Sequence, residues 1–382
     1  MLPHPPPGPQ RRRFVALCAA ALLALIAGVA VGAGGESAKT RPTVAATEPP
    51  VHALREARTL SLERQVGQAL MISFRGTTPP AYVRRALRRG RASGVILFRA
   101  NVPTPAVTRS LARRLQRAAR GRALIAADQE GGPIRRLGWA APQPAQSDVP
   151  TPFAAKRHAR AAAKDLAAVG VNVTLAPVAD VAGSGSVMKT RAFPGGATDV
   201  TALTRAAIQG YRGTKVAATL KHFPGLGQAR TNTDNAAVTI SSPRAALEAR
   251  DLPPFEAGIE AGAPLVMASH ALFTGLDRAN IASQSRPILT KLLRETLGFK
   301  GVVITDSMEA AAVRKRSPIE LASLRAIAAG ADLVLLTDDR SFPRVYDRLL
   351  TRARRSAKFR ARIADAAARV IALKQSLGLP GP

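Results

Sequence analysis

The chain has 382 residues, of which 46% are apolar, so it can bury a large core in one large domain or two small ones. Its single cysteine, Cys18, excludes a disulfide framework and any metal site built from cysteines. The net charge of +31 is compatible with phosphate contacts, but only 4% of the residues are aromatic, too few for base-stacking platforms, so we predict a solvated basic surface and no nucleic-acid partner.

Residues 1–35 have the pattern of an export segment. The basic cluster Arg11–Arg13 precedes a long run without charge that ends at Gly35. A cleaved signal peptide and an uncleaved membrane anchor both fit this pattern. Since arginines stay on the cytoplasmic side, either outcome exports the rest of the chain. We predict a protein that is secreted or anchored to the outer face of the cytoplasmic membrane, where its charge would attract anionic envelope polymers.

Residues 36–54 are rich in Pro, Thr and Ala and show no periodicity, which predicts a linker before a domain over 55–378. Within that domain, short β-branched apolar runs alternate with Ala/Leu/Arg segments of helical period. The candidate strands are 69–74, 94–98, 123–128, 171–178, 216–223, 264–273, 301–307 and 332–336. The candidate helices include 104–120, 153–169, 198–213, 243–262, 287–297 and 317–329, and 340–376 is predicted to be helical too.

Eight buried strands that are each followed by a helix predict an α/β fold, a single (β/α)8 barrel. A doubly wound sheet is the alternative, but the Gly-rich phosphate turn expected after its first strand is absent. In a barrel, functional side chains collect where the strands end. Polar residues do follow five predicted strands: Asp128, Asp180, Lys221 with His222, His270, and Asp306, with Arg136 and Arg191 on neighbouring loops.

These residues favour sugar chemistry over other kinds of catalysis. The histidines lack the i, i+4 spacing of a zinc site, the acids form no calcium loop, and no G-x-S-x-G nucleophile elbow is present. We therefore predict no metal and no cofactor. An isolated carboxylate, Asp306, among hydrogen-bond donors suits attack on an anomeric carbon. For Asp180, a helix cap or an ion pair is an equally good explanation.

Seven segments resemble a known family in their order and spacing: "LSLERQVGQALMISFRGTTPP", "GVILF", "AADQEGGPIRRL", "NVTLAPVADV", "TRAF", "KHFPGLG" and "GFKGVVITDSM". The chain is similar to the family-3 glycoside hydrolases, and it looks most like the single-barrel β-N-acetylhexosaminidases that act on peptidoglycan fragments. The resemblance covers about residues 58 to 376. It implies a retaining glycosidase with a carbohydrate substrate.

The resemblance also implies a role for each matching residue. Asp306 matches the catalytic nucleophile that forms a covalent glycosyl-enzyme. The substrate-binding residues that match are Asp128, Arg136, Arg191, Lys221 and His222. We expect a monomer, which contacts the membrane through its N-terminal segment if that segment is uncleaved.

The fifth loop departs from the family pattern. In the hexosaminidases it reads K-H-F-P-G-H-G-x-x-x-x-D-S-H, and the final Asp and His are the general acid/base dyad. Counted from Lys221, this chain has Leu226 at the first His, Asn232 at the dyad Asp and Asp234 at the dyad His. Asp234 is the candidate replacement for the imidazole, provided that its pKa is raised. We expected Gly225 and Gly227 to let the loop move Asp234 into place.

Three functions remain open from the sequence. The first is an active exo-glycosidase that removes terminal β-linked N-acetylhexosamine from envelope glycans. The second is a glycan-binding pseudoenzyme that keeps the sugar-binding residues without efficient turnover, because loss of a general acid costs ~10²–10⁴ in rate. The third is a β-glucosidase or a phosphorylase of the same family.

Overall fold

A computed structural model describes residues 48–381. In chain order its strands are β1 (Leu70–Ile72), β2 (Gly94–Leu97), β3 (Leu124–Ala127), β4 (Gln129–Gly131), β5 (Ile134–Arg135), β6 (Val173–Thr174), β7 (Thr219–Phe223), β8 (Thr239–Ile240), β9 (Leu265–Ala268), β10 (Leu272–Phe273), β11 (Val302–Ser307) and β12 (Leu333–Leu335).

Eight of these strands form one parallel sheet in the order β6-β3-β2-β1-β12-β11-β9-β7. The two ends of this sheet meet where Val173 of β6 bridges Ala217, just before β7. There the Thr174 amide donates to the Ala217 carbonyl at 2.9 Å, and the Ala217 amide donates to the Asn172 carbonyl at 2.9 Å. The sheet is thereby nearly closed on itself, and the predicted (β/α)8 barrel is confirmed.

The helices surround this sheet. In chain order they are α1 (Val51–Thr59), α2 (Leu62–Gln68), α3 (Ala81–Arg88), α4 (Pro105–Ala118), α5 (Pro152–Ala168), α6 (Ala197–Tyr211), α7 (Arg244–Arg250), α8 (Leu252–Glu260), α9 (Ala311–Arg314), α10 (Ile319–Ala329), α11 (Ser341–Arg355) and α12 (Ala357–Ser376). A π-helix spans Pro287–Thr296. Helices α4 and α5 begin alike, with a threonine hydroxyl that caps the first turn and a proline at its first position.

Several element boundaries differ from the prediction for local reasons. The helix predicted over 243–262 is two helices, because Pro253 and Pro254 cannot donate the backbone hydrogen bonds that would continue α7. The closing helical stretch divides at Ser356, whose hydroxyl caps α12. The strand predicted over 264–273 is also divided, and its second part, β10, pairs with β8 outside the barrel.

Side chains along each barrel strand alternate between two cores. Leu124, Leu265 and Val302 point into the barrel, while their immediate neighbours pack against the helices. The interior core also includes Val370 and Leu373 of α12, so the last helix covers the end of the barrel opposite the carboxyl ends of the strands. We call the carboxyl end of the barrel its mouth.

Helix α1 begins inside the segment predicted to be a linker. Its Ala53 and Ala57 are fully buried against Ala367, Ala368 and Ile371 of α12, which explains why this stretch is ordered as a helix. The export segment predicted over 1–35 lies outside the described residues. Among residues 48–381, no helix is both long and apolar enough to cross a bilayer.

Candidate active site

A short hairpin after the third barrel strand carries the first group of polar residues to the mouth. Strands β4 and β5 pair across Gly131 and Gly132, whose φ angles of +108° and +52° suit glycine. The Gln129 amide bonds the carbonyls of Leu137 and Ala140 and so fixes the loop that follows. The hairpin thereby buries the Glu130 side chain beside the barrel axis.

Five charged side chains form one ion network at the mouth. Lys221, at 2% exposure, contacts Asp128 Oδ1 at 2.8 Å and Glu130 Oε1 at 2.6 Å. The guanidinium of Arg191 binds Glu130 through two bonds of 2.8 and 2.9 Å. Arg136 approaches Asp128 Oδ2 at 3.4 Å and stacks on the ring of Phe98. Because its guanidinium keeps 29% exposure, Arg136 can also reach a ligand.

The network keeps all of its members charged. Burial alone would raise the pKa of Asp128, but Lys221 and Arg136 outweigh it and lower the pKa to about 2. The pKa of Glu130 is lowered in the same way, against burial, by Lys221 and Arg191. The two carboxylates in turn raise the pKa of Lys221 despite its burial. A fixed array of charged donors and acceptors suits the recognition of sugar hydroxyls.

This network predicts an acid-dependent loss of stability. Since the folded pKa of Asp128 is about 2 and its reference value is 3.8, the carboxylate contributes about 2 kcal/mol above pH 4, and this is lost as the pH falls towards 2. We expect Asp128→Asn to be less stable than wild type at pH 7 and to lose less stability between pH 4 and pH 2. Chemical denaturation at several pH values measures this, and parallel pH profiles for the two proteins would contradict it.

Asp306 lies near the end of β11, partly buried at the mouth. Burial would raise its pKa, but His222, His270 and the Ser307 amide, which donates to Oδ1 at 2.7 Å, together lower it. Beyond the strand, the Ser307 and Thr337 hydroxyls are 2.6 Å apart and both contact Glu309. Asp306 is therefore an ionised carboxylate on a well-supported strand end.

His270 lies beside Asp306 as a fully buried ring. Burial lowers its pKa, although the charge of Asp306 acts in the opposite direction. Its Nε2 is 2.9 Å from the Ser307 carbonyl, which can only accept, so Nε2 carries the proton and Nδ1 accepts from the Ser283 hydroxyl at 2.7 Å. His270 thus holds the backbone immediately after Asp306.

His222 and the start of the fifth loop are held by Asp180. This buried carboxylate accepts from the His222 ring Nδ1 at 2.8 Å, from the His222 amide at 3.1 Å and from the Leu226 amide at 2.6 Å. Asp180 is therefore found as the hydrogen-bond acceptor for the His222 ring and for the loop backbone, rather than as a helix cap. Its three bonds orient the His222 ring and fix the fifth loop.

The two loop glycines serve close packing. Gly225 has a φ of +127° and faces Asp251, and a Cβ on Gly227 would lie 2.0 Å from the Val181 carbonyl. Close packing against neighbouring chain segments therefore requires glycine at both positions, and the loop motion expected from them stays a prediction.

The end of the fifth loop brings Asp234 to the mouth. An Asx turn forms there, in which the Asp234 amide donates to the Asn232 side chain at 3.0 Å. The amides of Ala311 and Ala312, at the start of α9, donate to the carbonyls of Asp234 and Thr233 at 3.1 and 3.0 Å. Helix α9 follows directly after the Asp306 strand, so the backbone bonds of Asp234 join the loop to the segment that carries Asp306.

The electrostatic setting of Asp234 differs from that of Asp306. Its side chain keeps contact with solvent, yet partial desolvation, followed by the negative charge of Asp306, raises its pKa. Screening by water limits this shift. Asp234 therefore holds a proton more readily than Asp306 does, which is the difference that an acid and a nucleophile require.

The structure brings the predicted site residues together in two adjoining groups. Asp128, Arg136, Arg191 and Lys221 share the ion network, while His222, Asp306 and Asp234 lie beside it, where the charge of Asp306 helps to raise the pKa of Asp234. Sequence reasoning missed Glu130, which joins Lys221 to Arg191. One signal could have found it, since Glu130 follows Asp128 by two residues, and alternate residues of an extended segment share a face.

Comparison with known proteins agrees with this geometry. A family model described as "Glycosyl hydrolase family 3 N terminal domain" matches residues 61–373. A protein of Xanthomonas oryzae pv. oryzae named Beta-hexosaminidase is 34% identical over 277 residues, which cover 70% of this chain and 83% of the relative.

Two solved structures share the fold. A family 3 beta-N-acetylglucosaminidase from a Paenibacillus species superposes with a TM-score of 0.79 at 30% identity, covering 85% of this chain. This chain spans 64% of the length of that protein. A Beta-N-acetylhexosaminidase from Beutenbergia cavernae has a TM-score of 0.74 at 32% identity, covering 83% of this chain and 99% of its own. The chain therefore belongs to glycosyl hydrolase family 3, as a glycosidase similar to the β-N-acetylglucosaminidases of that family.

Proposed function

We propose that this protein is an exported, retaining exo-glycosidase that removes terminal β-linked N-acetylhexosamine from envelope glycans. The observation that carries the proposal is the pairing of an ionised Asp306 with Asp234, whose pKa is raised, at the mouth beside a fixed network of sugar-binding charges. The relatives named hexosaminidase and acetylglucosaminidase support the choice of an N-acetyl sugar.

The proposed chemistry has two steps. Asp306 attacks the anomeric carbon while Asp234, in its protonated form, gives its proton to the leaving oxygen, so a glycosyl ester forms and the aglycone departs. The Asp234 carboxylate then takes a proton from water, whose oxygen displaces Asp306 from the sugar. The charged network of Lys221, Asp128 and Arg191 would bind the hydroxyls throughout, which positions the anomeric carbon.

A panel of aryl β-glycosides tests the proposal. We expect the N-acetyl-β-glucosaminide to be cleaved with a higher kcat/KM than the β-glucoside, and the anomer first released to be β. If added inorganic phosphate raises the rate, the reaction is phosphorolysis and not hydrolysis. Preference for the glucoside would contradict the N-acetyl assignment while leaving the glycosidase intact.

Asp234→Asn tests the role of the acid. An amide of the same shape cannot donate its proton to the leaving group, so we expect kcat/KM to fall on the order of 10²–10⁴-fold for a disaccharide with a poor leaving group. An aryl glycoside whose leaving group needs no proton should lose much less in its first step. The matched control is Asp347→Asn, which changes an exposed aspartate on the outer helix α11.

Two outcomes would oppose this assignment. Equal turnover of the disaccharide by Asp234→Asn and wild type would remove Asp234 from the mechanism. If the wild-type protein binds the disaccharide but cleaves only the activated aryl glycoside, the protein is a weakly catalytic glycan binder. The proposal of export is tested separately, by locating the full-length chain after cell fractionation.

A further inference from the structure

Two grooves on the side of the barrel, away from the mouth, are lined by clusters of positive charge. One groove, of about 980 Å³, lies between α5 and α6 and is lined by Lys156, Arg160 and Lys164. The other, of about 590 Å³, lies between α4 and α5 and is lined by Arg109, Arg113 and Arg117. All six side chains are exposed. The grooves therefore flank α5 on both sides with cations.

These cations have no carboxylate partners within the described part of the chain. None of the six takes part in an ion pair among residues 48–381, although Arg109 and Arg160 each donate to a backbone carbonyl. Nor does an acidic side chain line either groove. Some exposed arginines elsewhere, such as Arg205 and Arg354, do pair with acidic side chains, while others do not. The grooves differ in that they gather uncompensated charge within a concave surface, which would attract an anion.

The spacing of the charges indicates what shape of anion fits. Each groove is lined by a fourth cation as well, Arg157 in the first and Arg120 in the second, and the other three recur at every fourth helical position, which is ~6 Å along the helix axis. Between them the first groove is lined mostly by small residues, including Ala161, Ala167 and Gly210, which leave room for a narrow chain, and by the exposed ring of Phe153. A concave groove with one cation every ~6 Å suits a linear polymer with one negative charge per short repeat, more than it suits a flat bilayer.

We propose that the α4–α6 face binds a linear phosphodiester polymer through its backbone charges. Its phosphates would lie along the cationic rims, and its uncharged repeats would cover the small side chains of the floor. Phe153 is the single aromatic residue among those that line the two grooves, too few to stack a run of bases, which favours a polymer without bases. The inference does not depend on the glycosidase proposal, because none of these residues lies at the mouth.

A fluorescent twelve-repeat abasic phosphodiester oligomer is a suitable probe, measured by anisotropy at several salt concentrations on the full-length protein. The test variant is Lys156→Gln with Arg160→Gln and Lys164→Gln. The matched control is Arg348→Gln with Arg352→Gln and Arg355→Gln, three exposed arginines of α11. Both triple variants remove three positive charges, so any difference between them reports the location of the charge.

We expect the groove variant to bind the oligomer at least about tenfold more weakly than wild type. The slope of log K against log salt should fall by about two, because each lost phosphate contact contributes ~0.7. The control variant should keep near-wild-type binding and slope. Both variants should keep the wild-type melting temperature and turnover of an aryl glycoside, which separates this result from any failure of the glycosidase proposal.

Three results would overturn the inference. Equal loss of binding in the two triple variants would mean that only the total charge matters. If single-stranded DNA of the same length binds more tightly than the abasic oligomer, and the groove variant weakens that binding, the groove recognises bases. Groove-dependent binding to anionic lipid vesicles without binding to the oligomer would indicate a membrane surface.

Discussion

Asp306→Asn is expected to lower kcat for an aryl N-acetyl-β-glucosaminide on the order of 10⁴-fold, comparable with the loss of a central catalytic group in other hydrolases. The amide keeps the shape of the side chain but cannot attack the anomeric carbon. Because the folded state lowers the pKa of Asp306 in spite of burial, its carboxylate contributes stability at neutral pH, so the uncharged variant should be somewhat less stable than wild type at pH 7. Steady-state kinetics and thermal unfolding measure the two effects.

The control for this substitution is Asp347→Asn, which changes an exposed aspartate on the outer helix α11. It should leave kcat within a small factor of the wild-type value and the temperature of unfolding close to that of wild type. A tenfold or smaller loss of kcat in Asp306→Asn would contradict its role as nucleophile. Mass spectrometry of protein quenched during turnover gives a second measurement, since the glycosyl adduct should be found on the peptide that contains Asp306.

Glu130→Gln is expected to destabilise the protein by ~3–5 kcal/mol and to raise KM, because it removes the carboxylate that joins two buried cations. Lys221 would keep Asp128 as a partner, but Arg191 would lose both of its bonds to a charged oxygen. Denaturant unfolding and substrate kinetics measure these effects.

The matched control is Glu260→Gln, which removes an exposed carboxylate from its pair with Arg205. Solvent screens that pair, so we expect a loss of only ~0–1 kcal/mol. The double variant Glu130→Gln with Arg191→Leu should be less destabilised than the sum of its single variants, because it removes an orphaned charge. Equal effects of Glu130→Gln and Glu260→Gln would show that burial adds nothing to the network.

The fold was predictable because each barrel strand can be recognised from its own stretch of sequence. Segments such as 94–98 and 301–307 are apolar runs between segments of helical periodicity, and the structure has strands at both. The polar residues at strand ends were predictable for the same reason, since parallel strands of a barrel end at one face. Asp128, Lys221 and Asp306 lie there because the topology allows no other place for a strand end.

The parts that were not predictable depend on contacts between distant segments. Glu130 became visible as a site residue only with the hairpin that turns it inward and with Arg191, 61 positions away. The glycines of the fifth loop look like hinges in the sequence, while their packing against Asp251 and Val181 arises only in the folded structure. The first turn of α1 likewise needs its partners on α12 to be helical.

The backbone bonds between the fifth loop and α9 fix the place of residue 234, whatever chemical group its side chain carries. The carbonyls of Thr233 and Asp234 accept from Ala311 and Ala312 whatever side chain residue 234 carries. A substitution at this position can therefore exchange one proton donor for another without redirecting the loop. In the proposed mechanism the group held there is the carboxylic acid of Asp234, and Asp234→His would place an imidazole at the same position beside Asp306.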